Sequence, residues 1–202
     1  AANVKIYSVL NDLGNFIFYP SMIENGHQEI FNIEFRNLPK MLLNNNNDCF
    51  LSWSGHYFRY YIPEEYKYEK DFGVIKLPSV TYENSLVGIG DSLVLVENNE
   101  VSIKTMQSLL SKNFGEVWAQ KNDSEFISAN KNFDRAFIKN SLTSYKFDIT
   151  HDALKKDMFR YDASEIMARP IGANLLWKMF IDYIRQGPES LSRLLNELDK
   201  EI

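Results

Sequence analysis

Apolar residues recur at helical spacing most clearly in the last third of the chain, where two stripes follow each other. Leu176, Phe180, Tyr183 and Ile184 predict one helix, ended by Gly187, since glycine readily takes the left-handed closing conformation. Pro188 then suits the first turn of a final helix, whose stripe is Leu191, Leu194, Leu195, Leu198 and Ile202. Ile103, Met106, Leu109 and Leu110 predict another helix within residues 99–112, capped by Asn98 or Asn99. Shorter helices are expected around Phe35, Leu38 and Leu42, with Pro39 as a bend or first turn, and over 114–120. "DALKKDMF" predicts one more, with Leu154 and Met158 inward.

The period changes in "CFLSW", "VIKLP" and "SLVLV", which are rich in aromatic and branched residues over strand length and read as sheet strands. Residues 4–33 interrupt their apolar runs with turn formers at Asn11-Asp12, Gly14-Asn15, Pro20 and Asn25-Gly26, which predicts short helical and extended pieces. Strands alternating with helices point to an α/β layered domain: a mixed sheet flanked by helices, with a C-terminal helix pair.

Composition narrows the function. A chain that is 45% hydrophobic and 14% aromatic over 202 residues buries a real core. Its net charge of -5 gives no electrostatic footprint for nucleic acid or an anionic membrane surface. The densest basic cluster, Lys155, Lys156 and Arg160, is interrupted by Asp157 and reads as a solvated helix face. The single cysteine, Cys49, excludes an internal disulfide and a multi-cysteine zinc site, and its apolar surroundings suggest a buried, inert thiol. No apolar run is long enough for a membrane span, and no N-terminal leader pattern is evident. The expectation is a soluble chain whose export signal is removed or lies outside it.

Enzyme signatures fail one by one. "GIGDSL" starts like a dinucleotide fingerprint, but Leu93 stands where the third glycine belongs and the run precedes a strand. Neither a phosphate loop nor a nucleophile elbow occurs. His27, His56 and His151 share no ligand spacing, so neither metal nor cofactor is expected. Glu64 and Glu65 are adjacent and diverge, and Asp91, Asp162 and Glu165 are not paired by spacing, so no catalytic residue is assigned.

"CFLSWSGHYF", "DFGVIKLPS", "LVGIGDSLVLV", "GEVWAQ", "FISANKN", "FRYDASEIM" and "LLWKMFIDYIRQGPESLSRLLNELD" follow one another in an order that resembles a known family. The likeness is to the C-terminal half of maltose- and α-glucoside-type carbohydrate-binding proteins of bacterial ABC importers. It implies a type II periplasmic-binding-protein-like lobe over residues 1–202, with the returning interlobe crossover near 80–130 and most of the N-terminal lobe absent. A neutral sugar needs aromatic faces against its ring and polar groups for its hydroxyls. The resemblance places these at Trp177, on the family helix whose tryptophan stacks on a ring, and at Tyr57, which projects after Gly55. Trp53 is a second aromatic candidate. For all three, filling the core is the alternative. Gly88, Gly90 and Asp91 match the family's glycine-rich crossing segment, except that Ile89 replaces its middle glycine. Arg160 and Asp162 match positions that pair with each other or frame the cleft. Asp12, with Asn11 and Tyr19, matches a cleft-facing region weakly. Trp118 in "GEVWAQ" reads as helix packing.

The resemblance implies a non-catalytic component that holds an oligosaccharide or α-glucoside and docks on membrane permease subunits. Its expected location is periplasmic or extracellular, free or lipid-anchored, with no nucleic-acid partner and no membrane span of its own. Two other classes stay open: a carbohydrate-active hydrolase fragment using paired carboxylates, and a protein interaction domain.

Overall fold

A computed structural model describes residues 2–23, 26–44, 61–77 and 85–201. Its helices are α1 (Ala2–Ile17), α2 (Leu38–Asn44), α3 (Glu100–Leu109), α4 (Glu116–Ala119), α5 (Ser141–Lys155), α6 (Ala163–Ile166), α7 (Trp177–Gln186) and α8 (Leu191–Glu201). Strands β1 (Leu86–Gly88) and β2 (Phe159–Tyr161) form a parallel pair in the register Leu86↔Phe159, Val87↔Arg160, Gly88↔Tyr161. The described residues are thus mixed α/β and mostly helical. They divide into two compact units, one made of residues 1–38 and 162–202, the other of residues 39–161.

In the first unit, Leu191, Leu194, Leu195 and Leu198 all face inward and meet Leu10, Met179 and Tyr183. Burying each leucine contributes about 1.5–3 kcal/mol. Gly187 has the expected positive φ of 93°, but its ψ of 172° is extended rather than left-handed helical. Its N–H still donates to the Tyr183 carbonyl at 3.0 Å, which closes α7. Pro188 opens a short 3-10 turn, Pro188–Ser190, that runs directly into α8.

The largest departure from expectation lies at the N-terminus. Residues 2–17 form one continuous helix rather than short pieces, and the Asn11-Asp12 and Gly14-Asn15 pairs sit inside it. Leu10, Gly14 and Ile17 make its buried stripe. Gly14 serves close packing and not a turn, because a Cβ there would lie 2.0 Å from the Tyr183 hydroxyl oxygen. That hydroxyl donates to the Leu10 carbonyl at 3.1 Å, inside the helix that carries the glycine. Burial pushes the Tyr183 phenol above its usual pKa, which keeps it a donor.

The second unit is organised by α5, of which the sequence signalled only the last turn. Asn140 caps it, accepting from the Thr143 N–H at 2.9 Å. Beneath it Ala119, Phe133, Ile138 and Phe147 form a core with Phe126, Ile127 and Phe137 packed around them. The inward face of α5 also carries Thr143, Lys146 and His151, which are buried. Each is matched by the chain running alongside over residues 122–128. Thr143 donates to the Ser124 carbonyl at 2.7 Å, and His151 Nε2 meets the Ser128 carbonyl at 2.8 Å. Lys146 pairs with Glu125. Met158 is half-buried beyond the helix end, while Leu154 lies within its last turn.

Asn99 caps α3 through Ser102, as expected, but Ile103 and Leu110 of its stripe remain exposed. The helix expected over 114–120 is shorter, since Gly115 at φ 85° precedes α4. Residues 74–77 of "VIKLP" and the whole of "SLVLV" are irregular, not strands. Val94 and Val96 are 77% and 91% exposed. Strand propensity expresses packing against paired neighbours, and no described strand lies beside either run. "CFLSW", with Cys49 and Trp53, lies outside the described residues, as do Gly55, His56, Tyr57 and Pro78.

His151 gives the second unit a pH dependence. Desolvation by burial lowers its pKa from 6.5, against the opposing hydrogen bond to Ser128. The unfolded chain takes up the proton first as pH falls, so this contribution is intact above the unfolded value of about 6.5. It declines as pH drops from there through the lower folded value. Denaturant midpoints measured from pH 8 to about pH 5 should fall on the acid side, and the fall should shrink in His151→Phe. Equal slopes for parent and variant would refute this assignment.

Candidate functional site

Asp162 sets the local geometry of the first unit's recess. Its Oδ1 accepts from the Ser164 N–H at 2.8 Å and from the Ser164 hydroxyl at 2.7 Å, capping α6. After α6 the chain enters a π-helical segment, Pro170–Leu176, which continues into α7. Wide π turns are uncommon and are found frequently at functional sites. Gly172 brings this segment against α6, since a Cβ there would lie 2.3 Å from the Ser164 carbonyl oxygen.

The result is a recess of about 200 Å³ lined by Ser164, Met167, Arg169, Ala173 and Trp177. Trp177 does not extend the buried stripe of α7. It is 54% exposed, with its ring tilted at 57° to Phe180 and 6.2 Å from it. Phe180 packs on the leucine core, so one edge of the indole is anchored while much of its surface stays open. The recess therefore combines an aromatic face, a thioether, an exposed guanidinium and a hydroxyl whose proton is committed to Asp162. Such a set suits a ring with an apolar face and several hydroxyls.

Trp177 and Asp162 are the two sequence candidates that meet here, Asp162 through Ser164. Ser164, Met167 and Arg169 were not anticipated. For Ser164 the available signal was its cap spacing from Asp162; Met167 and Arg169 had none, and Pro170, seven residues before Trp177, marks only a helix opening. Asp12 is exposed on α1.

The remaining described candidates belong to the second unit. Asp91 and Gly90 are exposed, and a Cβ on Gly90 would meet nothing within 4 Å. Gly88 is accounted for by the sheet, since a Cβ there would come within 2.9 Å of the Phe159 ring. Arg160 Nη1 donates to the carbonyls of Asp157 and Phe159 at 2.7 and 3.0 Å. Local contacts thus engage Arg160, as they do Asp162. Trp118 is 55% exposed and stacks on Phe126 at 5.0 Å. Among the described residues no three metal-ligating side chains cluster, and no helix is long and apolar enough to cross a membrane.

Comparison with known proteins places two relatives beside this geometry. The chain is 23% identical over 198 residues to the osmoprotective compounds-binding protein GgtB of Synechocystis sp., a match covering 97% of this chain and 45% of that protein. It is 20% identical over 186 residues to the alpha-glucosides-binding periplasmic protein AglE of Rhizobium meliloti, covering 90% of this chain and 40% of that one. The chain thus spans less than half the length of the curated relatives it matches. No family model matches it. No solved structure matches it either.

Proposed function

We propose that the chain is the C-terminal part of a two-lobe, non-catalytic solute-binding protein that captures a neutral sugar or sugar-like osmoprotectant for an ABC importer. One observation carries this reading: an open tryptophan face, held by Phe180, beside a recess furnished with a hydroxyl and a guanidinium. Similarity over nearly the whole chain to two binding proteins supports it. In this reading the periplasmic-binding-protein-like lobe spans residues 1–202, and the return crossover lies near 80–130. Trp177 and Asp162 belong to the site, and Tyr57, Trp53, Gly88, Gly90, Asp91, Arg160 and Asp12 are its further proposed members. The complete protein works outside the cytoplasmic membrane, closes by a hinge and docks on permease subunits.

Because about half of the ligand contacts belong to the other lobe, this chain alone binds weakly. Saturation-transfer NMR with maltose, trehalose, sucrose and glucosylglycerol reads such affinities. At least one sugar should give a saturable signal, and Trp177→Ala should weaken it by about tenfold, the loss of one stacked ring. A signal untouched by Trp177→Ala removes the site assignment. Product formation in the same tubes would favour a hydrolase fragment instead, and loss of a protein partner with no sugar response in any variant would favour an interaction domain.

A further inference from the structure

The second unit contains a recess of its own, about 260 Å³, that the reading above does not use. One wall is Ile62, Tyr66, Tyr68 and Phe72; the other is Asn122 with the first turn of α5, Asn140, Ser141 and Leu142. Ile62 and Leu142 are buried and form an apolar floor. Tyr68 is held by two aromatic neighbours, Phe72 at 5.9 Å and Tyr145 at 6.4 Å. Tyr66 is fixed by its hydroxyl, which donates to Asn44 at 2.9 Å. The walls are therefore preformed before any ligand arrives.

The polar groups divide into spent and free. Asn140 uses its amide nitrogen on the Asn122 carbonyl and its oxygen on the Thr143 N–H, so it braces the recess. Lys67 donates one of its three ammonium hydrogens to the Glu64 carbonyl at 2.5 Å. The Tyr68 hydroxyl, the Ser141 hydroxyl and the Asn122 side-chain amide line the recess without a hydrogen-bond partner among the described residues. All three both donate and accept, which matches hydroxyl groups, themselves both donors and acceptors.

Charge argues against ionic ligands. Among the described residues no carboxylate lines the recess, so a cation finds no counter-charge from them. The cation among the described lining residues, Lys67, is exposed and screened by solvent, and the Asp71 carboxylate, which accepts from the Lys67 N–H at 2.8 Å, opposes an anion beside it. The volume lies below the roughly 300–1,000 Å³ typical of drug-sized sites, which limits the occupant to about one ring.

We propose that this recess is a second binding site, selective for a small neutral polyhydroxy compound the size of one sugar ring, with Tyr68, Asn122 and Ser141 reading its hydroxyls. It is independent of the Trp177 site.

The test uses the chain labelled with nitrogen-15 and titrated with methyl α-D-glucopyranoside, glycerol and, separately, sodium acetate. Methyl α-D-glucopyranoside should shift the Asn122 side-chain amide and the Ser141 and Leu142 backbone amides along one saturable curve. Tyr68→Phe keeps the ring and removes only the hydroxyl, and should weaken that curve about fivefold, as should Asn122→Ala. Trp177→Ala should leave it unchanged, so failure here and failure of the first site are separable. Absence of saturable shifts at these amides overturns the proposal. Stronger shifts with acetate, or curves identical in the parent, Tyr68→Phe and Asn122→Ala, overturn it equally. Superimposable spectra elsewhere establish that each variant is folded.

Discussion

Lys146→Ala should lower the stability of the second unit by about 3–5 kcal/mol, the usual cost of removing one partner from a buried ion pair. The Lys146 and Glu125 side chains are only 11% and 9% exposed, so solvent screening offers little relief. Glu125 is already in a difficult position, because its Oε1 is buried without a hydrogen-bond partner. Taking away the ammonium would leave a buried carboxylate without its Lys146 counter-charge and without full solvation. The chain over 122–128 would then lose its central tie to α5, between the Thr143 and His151 contacts. Replacing both partners, Lys146→Met with Glu125→Leu, should recover most of the loss, since a buried pair adds little over apolar packing of similar volume. Urea unfolding of the two variants and the parent measures this directly. A Lys146→Ala cost below about 1 kcal/mol would show that the pair behaves as a solvated one.

Tyr183→Ala should cost about 3–5 kcal/mol in the first unit, the range for removing a buried aromatic side chain. Tyr183 is 1% exposed and sits where α1, α7 and α8 share a core. Its ring packs edge-on against Phe18 at 5.4 Å, and its hydroxyl ties α7 to α1 through the Leu10 carbonyl. Tyr183→Phe keeps the ring and loses only that hydrogen bond, so its expected cost is about 1 kcal/mol. Protection of the Leu194 and Leu195 amides from hydrogen exchange reads the first unit specifically. Equal protection in Tyr183→Ala and the parent would mean that the ring is not the keystone of this core.

The candidate site was legible only where chemistry and local pattern coincide. Trp177 stood out because a large aromatic on an amphipathic helix either extends the stripe or leaves it, and in the structure it leaves it. Asp162 stood out by resemblance, yet its visible role is to cap α6 and orient Ser164. Arg169 and Met167 carried no signal, because their place beside Trp177 depends on a π-helical segment. That segment depends in turn on the close approach of Gly172 to the Ser164 carbonyl, a contact eight residues apart that propensity does not encode. Gly88 shows the converse. A glycine that suggested backbone contact with a ligand also serves packing across the sheet, since a Cβ there would meet the Phe159 ring, from a strand more than seventy residues later.

Hydrophobic period and terminators alone determined the C-terminal helix pair and the capped α3. These are local properties, written in residues a few positions apart. Tertiary structure alone decided that Gly14 lies within a helix, because only the distant hydroxyl of Tyr183 explains why a side chain is missing there. It also decided the extent of α5, whose inward face mixes Thr143, Lys146 and His151 with apolar residues. Polar side chains can face a core only when partners arrive from elsewhere in the chain, and here Ser124, Glu125 and Ser128 supply them. Residues 74–77 and "SLVLV" are irregular for the matching reason: a β-prone sequence becomes a strand only beside another strand, and no described strand lies beside either run.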